Sequence, residues 1–262
     1  MDILVDEHAF FITGGSRGIG KELVVKLLKE GAFVGTCSRC APDLYNLNNS
    51  LPKSLRDRLF TADCDVCDAD ALQSVINTTA LEFGRLDGVV ANAGSGITGR
   101  VLDMSRADLL SQIEIKIFSV LNLVHASLPY LRQSDSGKIV IMNGVSAKVP
   151  DCEMAAVSAS RAALSQIAKM LAADLAEEEI CVNTVNIGVI DTARQVSRFE
   201  KSGTDLAYDE WLRSEAQRRG IPFGRVGKID EVAPAILFLL SPLSSYLTSA
   251  SIDVAGGLNG KT

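Results

Sequence analysis

The sequence predicts a single-domain α/β fold, in which a central parallel sheet of about seven strands lies between two layers of helices. Short apolar runs typical of buried strands alternate along the chain with longer segments of helical periodicity. Strands that alternate with helices pair in parallel, because each helix carries the chain back across one face of the sheet. The chain has 262 residues, 47% of them hydrophobic, and no repeat or linker that would divide it. We therefore expect one three-layer domain over residues 1–262.

The first strand–helix junction predicts a dinucleotide-binding site. An apolar run at residues 9–13 is followed by a glycine-rich turn at 14–20 and then by helical sequence. Glycines allow a tight turn and a close approach of the backbone to a pyrophosphate, and the helix start presents free N–H groups to it. This layout is typical of a Rossmann-type fold.

The alternation continues to the C-terminal end of the sequence. Further strands are predicted at 33–37, 59–62, 88–91, 139–142, 180–186 and 251–254. Helices are predicted at 69–83, 107–131 with one early break, 155–178 and 229–240. Residues 41–58 have the composition of a polar connection. Residues 188–228 are predicted to be a mostly irregular segment with short helical patches that covers a substrate, as lids do.

Charge and composition exclude several classes of partner. The net charge is −6 and the basic residues are scattered, which argues against nucleic acid or an anionic membrane surface. The N-terminal stretch is acidic, unlike a signal peptide, and the apolar runs are too short to span a bilayer. We expect a cytoplasmic protein.

Four of the six cysteines form two C-x-x-C pairs, which can indicate a zinc site. The pairs are Cys37 with Cys40 and Cys64 with Cys67. The gap between them is longer than in a zinc ribbon, and no glycine-rich knuckle surrounds either pair. We expect unpaired thiols and no bound metal.

Six motifs follow one another along the chain. They are Thr13-Gly14-x-x-x-Gly18-Ile19-Gly20, Asp65-Val66, Asn92-Ala93-Gly94, Ser158-Ala159-Ser160, Asn186-Ile187-Gly188 with Thr192, and the series Arg225-Val226-Gly227, Glu231-Val232-Ala233, Phe238-Leu239 and Val254-Ala255-Gly256-Gly257. In this order they resemble the short-chain dehydrogenase/reductase family in its compact, single-domain branch. The resemblance covers nearly the whole chain and implies a nicotinamide dinucleotide cofactor.

The resemblance implies where the cofactor lies. The pyrophosphate is expected along the glycine-rich turn, the adenine at Asp65 and Val66, and the nicotinamide carboxamide at Ile190 and Thr192. The complete expected cofactor-binding set is Gly14, Ser16, Arg17, Gly18, Ile19, Gly20, Ser38, Arg39, Asp65, Val66, Asn92, Ala93, Gly94, Arg161, Gly188, Ile190 and Thr192.

The end of the second predicted strand favours NADP(H) over NAD(H). NAD-binding folds place a carboxylate there to bind the ribose 2′-hydroxyl, but this chain has Thr36-Cys37-Ser38-Arg39. Arg39 and Arg17 can both reach a 2′-phosphate, which suits the forked donors of arginine. The alternative is that both arginines meet only solvent.

The resemblance also implies a catalytic set of Asn, Ser, Tyr and Lys, and this chain has other residues at all four positions. Val157 and Arg161 stand where the family has Tyr and Lys, four residues apart on one helix face. The Ser position is Gly144, and the Asn position aligns best with Lys116. Valine has no proton to give, and a lost general acid typically costs about 10²–10⁴-fold in rate. Ordinary ketone–alcohol interconversion is therefore not expected.

The candidates for replacing this chemistry are Lys116, Asp151 and Arg161. Lys116 interrupts an apolar helix face, which suggests a function. Asp151 lies in the loop over the site, where it can equally be a solvated acid, and Arg161 can still bind ribose hydroxyls. Other residues considered near the site are Asn143, Ser146, Glu153, Tyr208 and Trp211, with the last two expected to pack in the lid and His125 expected to be structural.

Three functions remain open. The chain can be an atypical NADP(H)-dependent reductase of an already activated acceptor, an iminium or a conjugated system, in specialised metabolism. It can be an inactive partner subunit of an active homologue, or a non-redox isomerase or cyclase that uses Lys116 and Asp151. The complete cofactor motifs favour the first. The family further implies a small-molecule substrate and a homo-oligomer, a dimer or tetramer, with a hetero-oligomer as the alternative.

Overall fold

Seven parallel strands form one sheet in the computed structural model, which describes residues 3–258. They are β1 Ala9–Thr13, β2 Phe33–Ser38, β3 Leu59–Asp63, β4 Gly88–Ala91, β5 Lys138–Gly144, β6 Cys181–Ile187 and β7 Ser251–Val254. Their order is β3-β2-β1-β4-β5-β6-β7. Strands β2 and β3 therefore extend the sheet on one side of β1, and strands β4 to β7 extend it on the other side. This doubly wound sheet confirms the predicted fold class.

Helices cover both faces of the sheet. Within residues 3–258 the α-helices are α1 Gly18–Lys29, α2 Ala41–Ser50, α3 Lys53–Arg56, α4 Ala69–Phe83, α5 Arg106–Ile113, α6 Ser119–Leu131, α7 Ala155–Asp174, α8 Ala193–Ser202, α9 Tyr208–Arg218 and α10 Ala233–Leu240. A π-helical turn, Glu114–Phe118, joins α5 to α6 and is the break predicted early in that helix.

The side chains of β1 enter two separate cores. Phe10 and Ile12 belong to the core under α1 and α10, whereas Phe11 belongs to the core under α4 and α6. Successive strand residues face opposite sides, so a strand covered on both faces must be apolar throughout. This explains why residues 9–13 form a continuous apolar run rather than an alternating one.

The structure is more helical than the sequence predicted in two places. Residues 41–58 were expected to be a connection, but they contain α2 and α3, and α2 buries Leu44 and Leu47. A proline near the start of α2 suits a helix N-terminus, while its many asparagines obscure the apolar period. The segment 188–228 contains the two regular helices α8 and α9 rather than short patches.

One helical segment, Arg106–Leu131, is long and apolar enough by length and composition to cross a membrane. In the fold it packs against α4 and β4, and Leu123 and Val124 lie in the core. The demands of covering the sheet therefore account for its apolar character.

The lid segment 188–228 carries its own small core and ion-pair network. Phe199, Tyr208 and Trp211 pack together, with ring centroids 5.2–6.1 Å apart. Glu215 binds Arg198 at 3.0 Å and Arg218 at 2.8 Å. Hydrogen bonding to Arg218 above all, helped by the charges of the surrounding arginines, lowers the pKa of Glu215 to about 2. These contacts join α8 to α9.

Candidate active site

The predicted site lies at the carboxyl edge of the sheet, where the strand order reverses between β1 and β4. Parallel strands all end at this edge, so the turns that follow them lie side by side. The glycine-rich turn follows β1, the connection 92–96 follows β4, Gly144 ends β5 and Gly188 follows β6. The fold thus brings together segments that are far apart in the sequence.

The glycine-rich turn has the geometry of an anion cradle. Gly14 and Gly18 have φ values of +71° and +57°, in the left-handed region that favours glycine. A Cβ on Gly18 would meet nothing within 4 Å, so the turn is open on this side. Arg17 precedes α1 without a side-chain capping bond, and no acid occupies the first turn. The N–H groups at the start of α1 are therefore free to bind a phosphate.

Asn92 fixes this turn to the end of β4. Its side-chain Nδ2 donates to the carbonyl oxygens of Thr13, at 2.9 Å, and Gly14, at 3.2 Å. In return, Thr13 Oγ1 accepts hydrogen bonds from the backbone N–H groups of Asn92 and Ala93, at 3.0 and 2.9 Å. Gly20 is needed as glycine, because a Cβ there would lie 2.6 Å from Asn92 Nδ2. Direct hydrogen bonds therefore join the end of β4 to the glycine-rich turn.

The end of β2 has hydroxyl groups and arginine where an NAD-type carboxylate would stand. Ser16 Oγ donates to Ser38 Oγ at 3.0 Å, which joins the glycine-rich turn to this strand end. Arg39 Nη1 lies 3.5 Å from Asp65 Oδ2, and both side chains are exposed. A long, exposed ion pair contributes little free energy, so Arg39 can turn toward a phosphate. Arg17 is exposed on the other side of this corner.

The residues predicted on the adenine side, Asp65 and Val66, and on the nicotinamide side, Gly188, Ile190 and Thr192, follow the ends of different strands. Val66 is buried in the core beside Asp65. Ile190 is buried and its segment pairs with Gly227. Thr192 precedes α8 without a side-chain capping bond, so its hydroxyl is available to a ligand. Gly188 must be small, since a Cβ there would lie 2.8 Å from Ala255 Cα.

Val157 occupies the place of the expected proton donor and is buried, with 2% of its surface exposed. The neighbouring Ser158 Oγ accepts a hydrogen bond from the backbone N–H of Asp151 at 3.1 Å, which holds the loop to α7. At position 157 the helix α7 thus presents an apolar side chain, which cannot give or accept a proton.

Gly144 and Arg161 fit each other. A Cβ on Gly144 would lie 2.8 Å from Cζ of Arg161, closer than real Cβ atoms approach. The guanidinium thus occupies the space that a serine at this position would need. Asn143 anchors the same turn of α7, because its Nδ2 donates to Arg161 O at 3.1 Å and to Ser165 Oγ at 3.0 Å.

Lys116 lies in the π-helical turn and reaches the connection after β4. A Cβ on Gly94 would lie 2.7 Å from Lys116 Nζ, so the ammonium group sits directly against Gly94. Among the described residues nothing accepts a hydrogen bond from this ammonium group. Desolvation, and then the charges of Arg161 and Arg194, lower the pKa of Lys116 to about 7. π-Helical turns are frequent at functional sites.

Arg194, which is exposed, is a third cation near the site and was not predicted from the sequence. It lies in the first turn of α8, and its Nη1 would be 3.2 Å from a Cβ on Gly96. Its Nη2 donates to Met154 Sδ at 3.8 Å. Desolvation lowers its pKa, as do the charges of Arg198 and Arg219. Its position two residues after Thr192 is the signal that could have found it.

Asp151, expected as a catalytic candidate, is engaged in structural contacts. Its Oδ2 accepts from Arg219 Nη1 at 3.0 Å, and its Oδ1 accepts from the backbone N–H of Glu153 at 3.0 Å. Arg219 also reaches Glu215, so Asp151 ties the loop before α7 to the lid. Glu153 is exposed.

The remaining candidates lie outside the centre of the site. Tyr208 donates to Asp191 Oδ1, and desolvation followed by this bond raises its pKa well above the ordinary value. Trp211 is buried in the lid core, and His125 is exposed on α6. Ser146 is half-buried in the turn after β5.

The C-x-x-C cysteines do not form a metal cluster. Cys37 and Cys64 are buried and hydrogen-bonded to each other, Cys67 is half-buried and Cys40 is exposed. Among residues 3–258, no three His, Cys, Asp or Glu side chains are grouped closely enough to hold a metal ion.

Sequence comparison relates the chain to known reductases. The family profile described as enoyl-(acyl carrier protein) reductase matches residues 14–259. A chloroplastic tropinone reductase homologue from Arabidopsis thaliana is 32% identical over 95% of this chain and 74% of that protein. Senescence-associated protein 13 from the same plant is 32% identical over 94% of this chain and 88% of that protein.

Two solved structures are similar over the whole fold. A short-chain oxidoreductase from Pseudomonas aeruginosa PAO1 containing an atypical catalytic center, known in apo and NADPH-bound forms, is 34% identical. It superposes with a TM-score of 0.91 over 97% of this chain and 98% of that one. L-Sorbose reductase from Gluconobacter frateurii, complexed with NADPH and L-sorbose, is 26% identical with a TM-score of 0.93 and full coverage of both chains.

The fit between Gly144 and Arg161 predicts that their substitutions are coupled. Gly144→Ala should destabilise the fold by about 1 kcal/mol, because the new Cβ forces the guanidinium to move. In an Arg161→Ala background the same change should be nearly neutral. Denaturant unfolding of the double-mutant cycle measures this, with Gly99→Ala as control, since a Cβ there meets nothing within 4 Å. If the two single-mutant changes in unfolding free energy add up to the double-mutant change within about 0.3 kcal/mol, the fit between Gly144 and Arg161 is contradicted.

The lowered pKa of Lys116 predicts a pH-dependent stability. The folded chain releases this proton near pH 7 but the unfolded chain near pH 10.5, so burying the charged form destabilises the fold most below pH 7. Lys116→Met should therefore raise the stability of the cofactor-free protein by about 2 kcal/mol at pH 6, and the gain should shrink as the pH rises toward 10.5. The exposed Lys169→Met serves as control in thermal unfolding. A stability gain in Lys116→Met that does not depend on pH would disprove the lowered pKa of Lys116.

Proposed function

The chain belongs to the short-chain dehydrogenase/reductase family, and we propose that it is an NADP(H)-dependent reductase that works without the family's tyrosine acid. The observation that carries this proposal is a complete cofactor edge beside a site with Val157 and Gly144 at the proton-handling positions. The P. aeruginosa oxidoreductase, which contains an atypical catalytic center and binds NADPH, supports this combination by analogy. The cofactor-binding residues proposed are those expected from the sequence.

The preference for NADP(H) rests on the corner formed by β2 and the glycine-rich turn. No acid stands at the end of β2, and Arg39 and Arg17 are both exposed there. A 2′-phosphate can replace Asp65 as the partner of Arg39 and form a stronger, bidentate interaction. Both solved neighbours described above bind NADPH, which supports the same choice.

The acceptor we propose is a conjugated system rather than an iminium. A bound NADPH supplies a hydride, and an acceptor that needs no strong acid is one whose electrons can move onto an oxygen. Lys116, Arg161 and Arg194 make the pocket cationic, so they stabilise developing negative charge and repel a positively charged iminium. The cationic character of these three side chains therefore favours the conjugated acceptor over the iminium.

Lys116 is the proton donor that we propose. Its ammonium group lies against Gly94 with no hydrogen-bond acceptor among residues 3–258, and a pKa of about 7 suits an acid at neutral pH. Arg161 keeps its proton near neutral pH and serves as an electrostatic and ribose-binding group. Asp151 we assign to holding the lid, because Arg219 and the Glu153 N–H occupy its oxygens.

Segment 188–228 we propose as the cover of a small-molecule substrate, and the assembly as a homo-oligomer in the cytoplasm. Family members act on small molecules and are commonly oligomeric. Leu110, Phe118 and Met170 are about half-exposed on α5, the π turn and α7, the helices through which this family assembles. One domain over residues 1–262 remains the proposed organisation.

A second candidate is a non-redox isomerase. A lysine that titrates near pH 7 can both give and take a proton, which an isomerisation requires and a reduction does not. An isomerase would form a product of unchanged mass without consuming NADPH, so the two functions are distinguished by one assay.

Cofactor binding is the first test. Calorimetry should show saturable NADPH binding at least about ten-fold tighter than NADH binding, since only NADPH carries the 2′-phosphate. Arg39→Gln should remove that preference and leave NADH binding unchanged, whereas the exposed control Arg56→Gln should change neither. Absence of saturable NADPH binding would refute the proposed function.

Hydride transfer is the second test. With NADPH deuterated at C4, a panel of α,β-unsaturated ketones should yield product labelled at the β-carbon. The rate should fall as the pH rises above about 7, where Lys116 loses its proton. Lys116→Met should lower the rate by about 10²-fold and abolish this pH dependence. An unlabelled isomer would favour the second candidate, and no turnover by the isolated chain would favour the inactive partner subunit.

A further inference from the structure

Three cations from three different elements meet around the connection that follows β4. Lys116 Nζ, from the π-helical turn, sits against Gly94, and the guanidinium of Arg194, from α8, sits against Gly96. Arg161, from α7, lies close enough to Arg194 and Lys116 for each pair to share an electrostatic interaction. The charges of Arg161 and Arg194 lower the pKa of Lys116, and the charge of Arg194 lowers the pKa of Arg161, which reports repulsion within the cluster.

Acids within residues 3–258 offset this cluster only weakly, since the charge of Asp151 is the smallest of the influences on the pKa of Arg194. None of the ion pairs within residues 3–258 includes Lys116, Arg161 or Arg194. Asp151 is bound to Arg219, and Glu215 binds Arg198, Arg218 and Arg219. Lys116 and Arg161 are desolvated while Arg194 is exposed, so holding these like charges together costs free energy that the binding of an anion recovers.

The cofactor does not account for all three cations. Its pyrophosphate is expected at the glycine-rich turn, its 2′-phosphate at Arg39, and its nicotinamide ribose at Arg161. Arg194 lies on the lid side, where its hydrogen-bond partner is the thioether of Met154, a weak and neutral acceptor. A Cβ on Gly96 would lie 3.1 Å from Met154 Cε, so Met154 and Arg194 both lie against Gly96. Arg194 is thus an exposed donor without an ion-pair partner among the described residues.

We infer that the substrate carries an anionic oxygen group, a carboxylate or a phosphate. Arg194 binds this group directly, and the charges of Arg161 and Lys116 add to the attraction. This inference names the substrate class of the proposed function and rests on that function for calling the ligand a substrate. The planar guanidinium of Arg194 offers paired donors that match both oxyanions. Because α8 belongs to the lid, the anion would also join the lid to the floor of the site.

Binding of matched probes tests the inference independently of turnover. The full chain, with and without NADPH, is titrated calorimetrically with benzoate, phenyl phosphate and the neutral benzyl alcohol. An anionic probe should bind at least about ten-fold tighter than benzyl alcohol. Arg194→Gln should abolish this preference and leave both benzyl alcohol and NADPH binding unchanged. Arg213→Gln removes the same charge from an exposed position on α9 and should leave the preference intact.

Each outcome decides the inference. Tighter binding of benzoate identifies a carboxylate site, and tighter binding of phenyl phosphate a phosphate site. Equal binding of anionic and neutral probes, no binding of either anion, or an anion preference that survives Arg194→Gln would overturn it. Loss of NADPH affinity in Arg194→Gln would also overturn it, because Arg194 would then serve the cofactor. If NADPH fails to bind the native chain, the proposed function falls, while the titrations without cofactor still decide the anion site.

Discussion

The site depends on the hydrogen bonds that join Thr13 to Asn92 where β1 and β4 separate. At this point the connections that follow β1 and β4 lead to opposite faces of the sheet. The backbone groups just beyond the two strand ends therefore have no hydrogen-bond partner within the sheet. Asn92 supplies those partners for the carbonyls of Thr13 and Gly14, and Thr13 Oγ1 does the same for Asn92 and Ala93. The glycine-rich turn after β1 and the connection after β4 are therefore fixed relative to each other.

The residues around this site are mutually adapted. At the positions where the resemblance places Ser and Lys, Gly144 leaves a space and the guanidinium of Arg161 occupies it. A larger side chain on one element is compatible with close packing only when the facing residue is small. Lys116 enters from a π-helical turn, a local insertion that re-aims a side chain relative to the rest of its helix. The residues at these positions are thus packed against one another and held in place.

Charge pairing divides the basic residues into two groups. Arg198, Arg218 and Arg219 bind Glu215, and Arg219 also holds Asp151, so these arginines stabilise the lid. Lys116, Arg161 and Arg194 form no ion pair among the described residues. The division explains why Asp151, a reasonable catalytic candidate in the sequence, is a structural group in the fold.

The sequence by itself determined the fold class, the glycine-rich turn and the apolar residue at position 157, because these depend on local periodicity and on residue type. It underestimated α2 and the lid helices, whose polar faces hide their period. Only the tertiary structure decided that Arg194 joins Lys116 and Arg161 while Asp151 does not, and that Arg161 fills the space at Gly144. Residues so distant in the chain meet only because parallel strands end at one edge of the sheet, and which charges pair there depends on the packing of the lid against that edge.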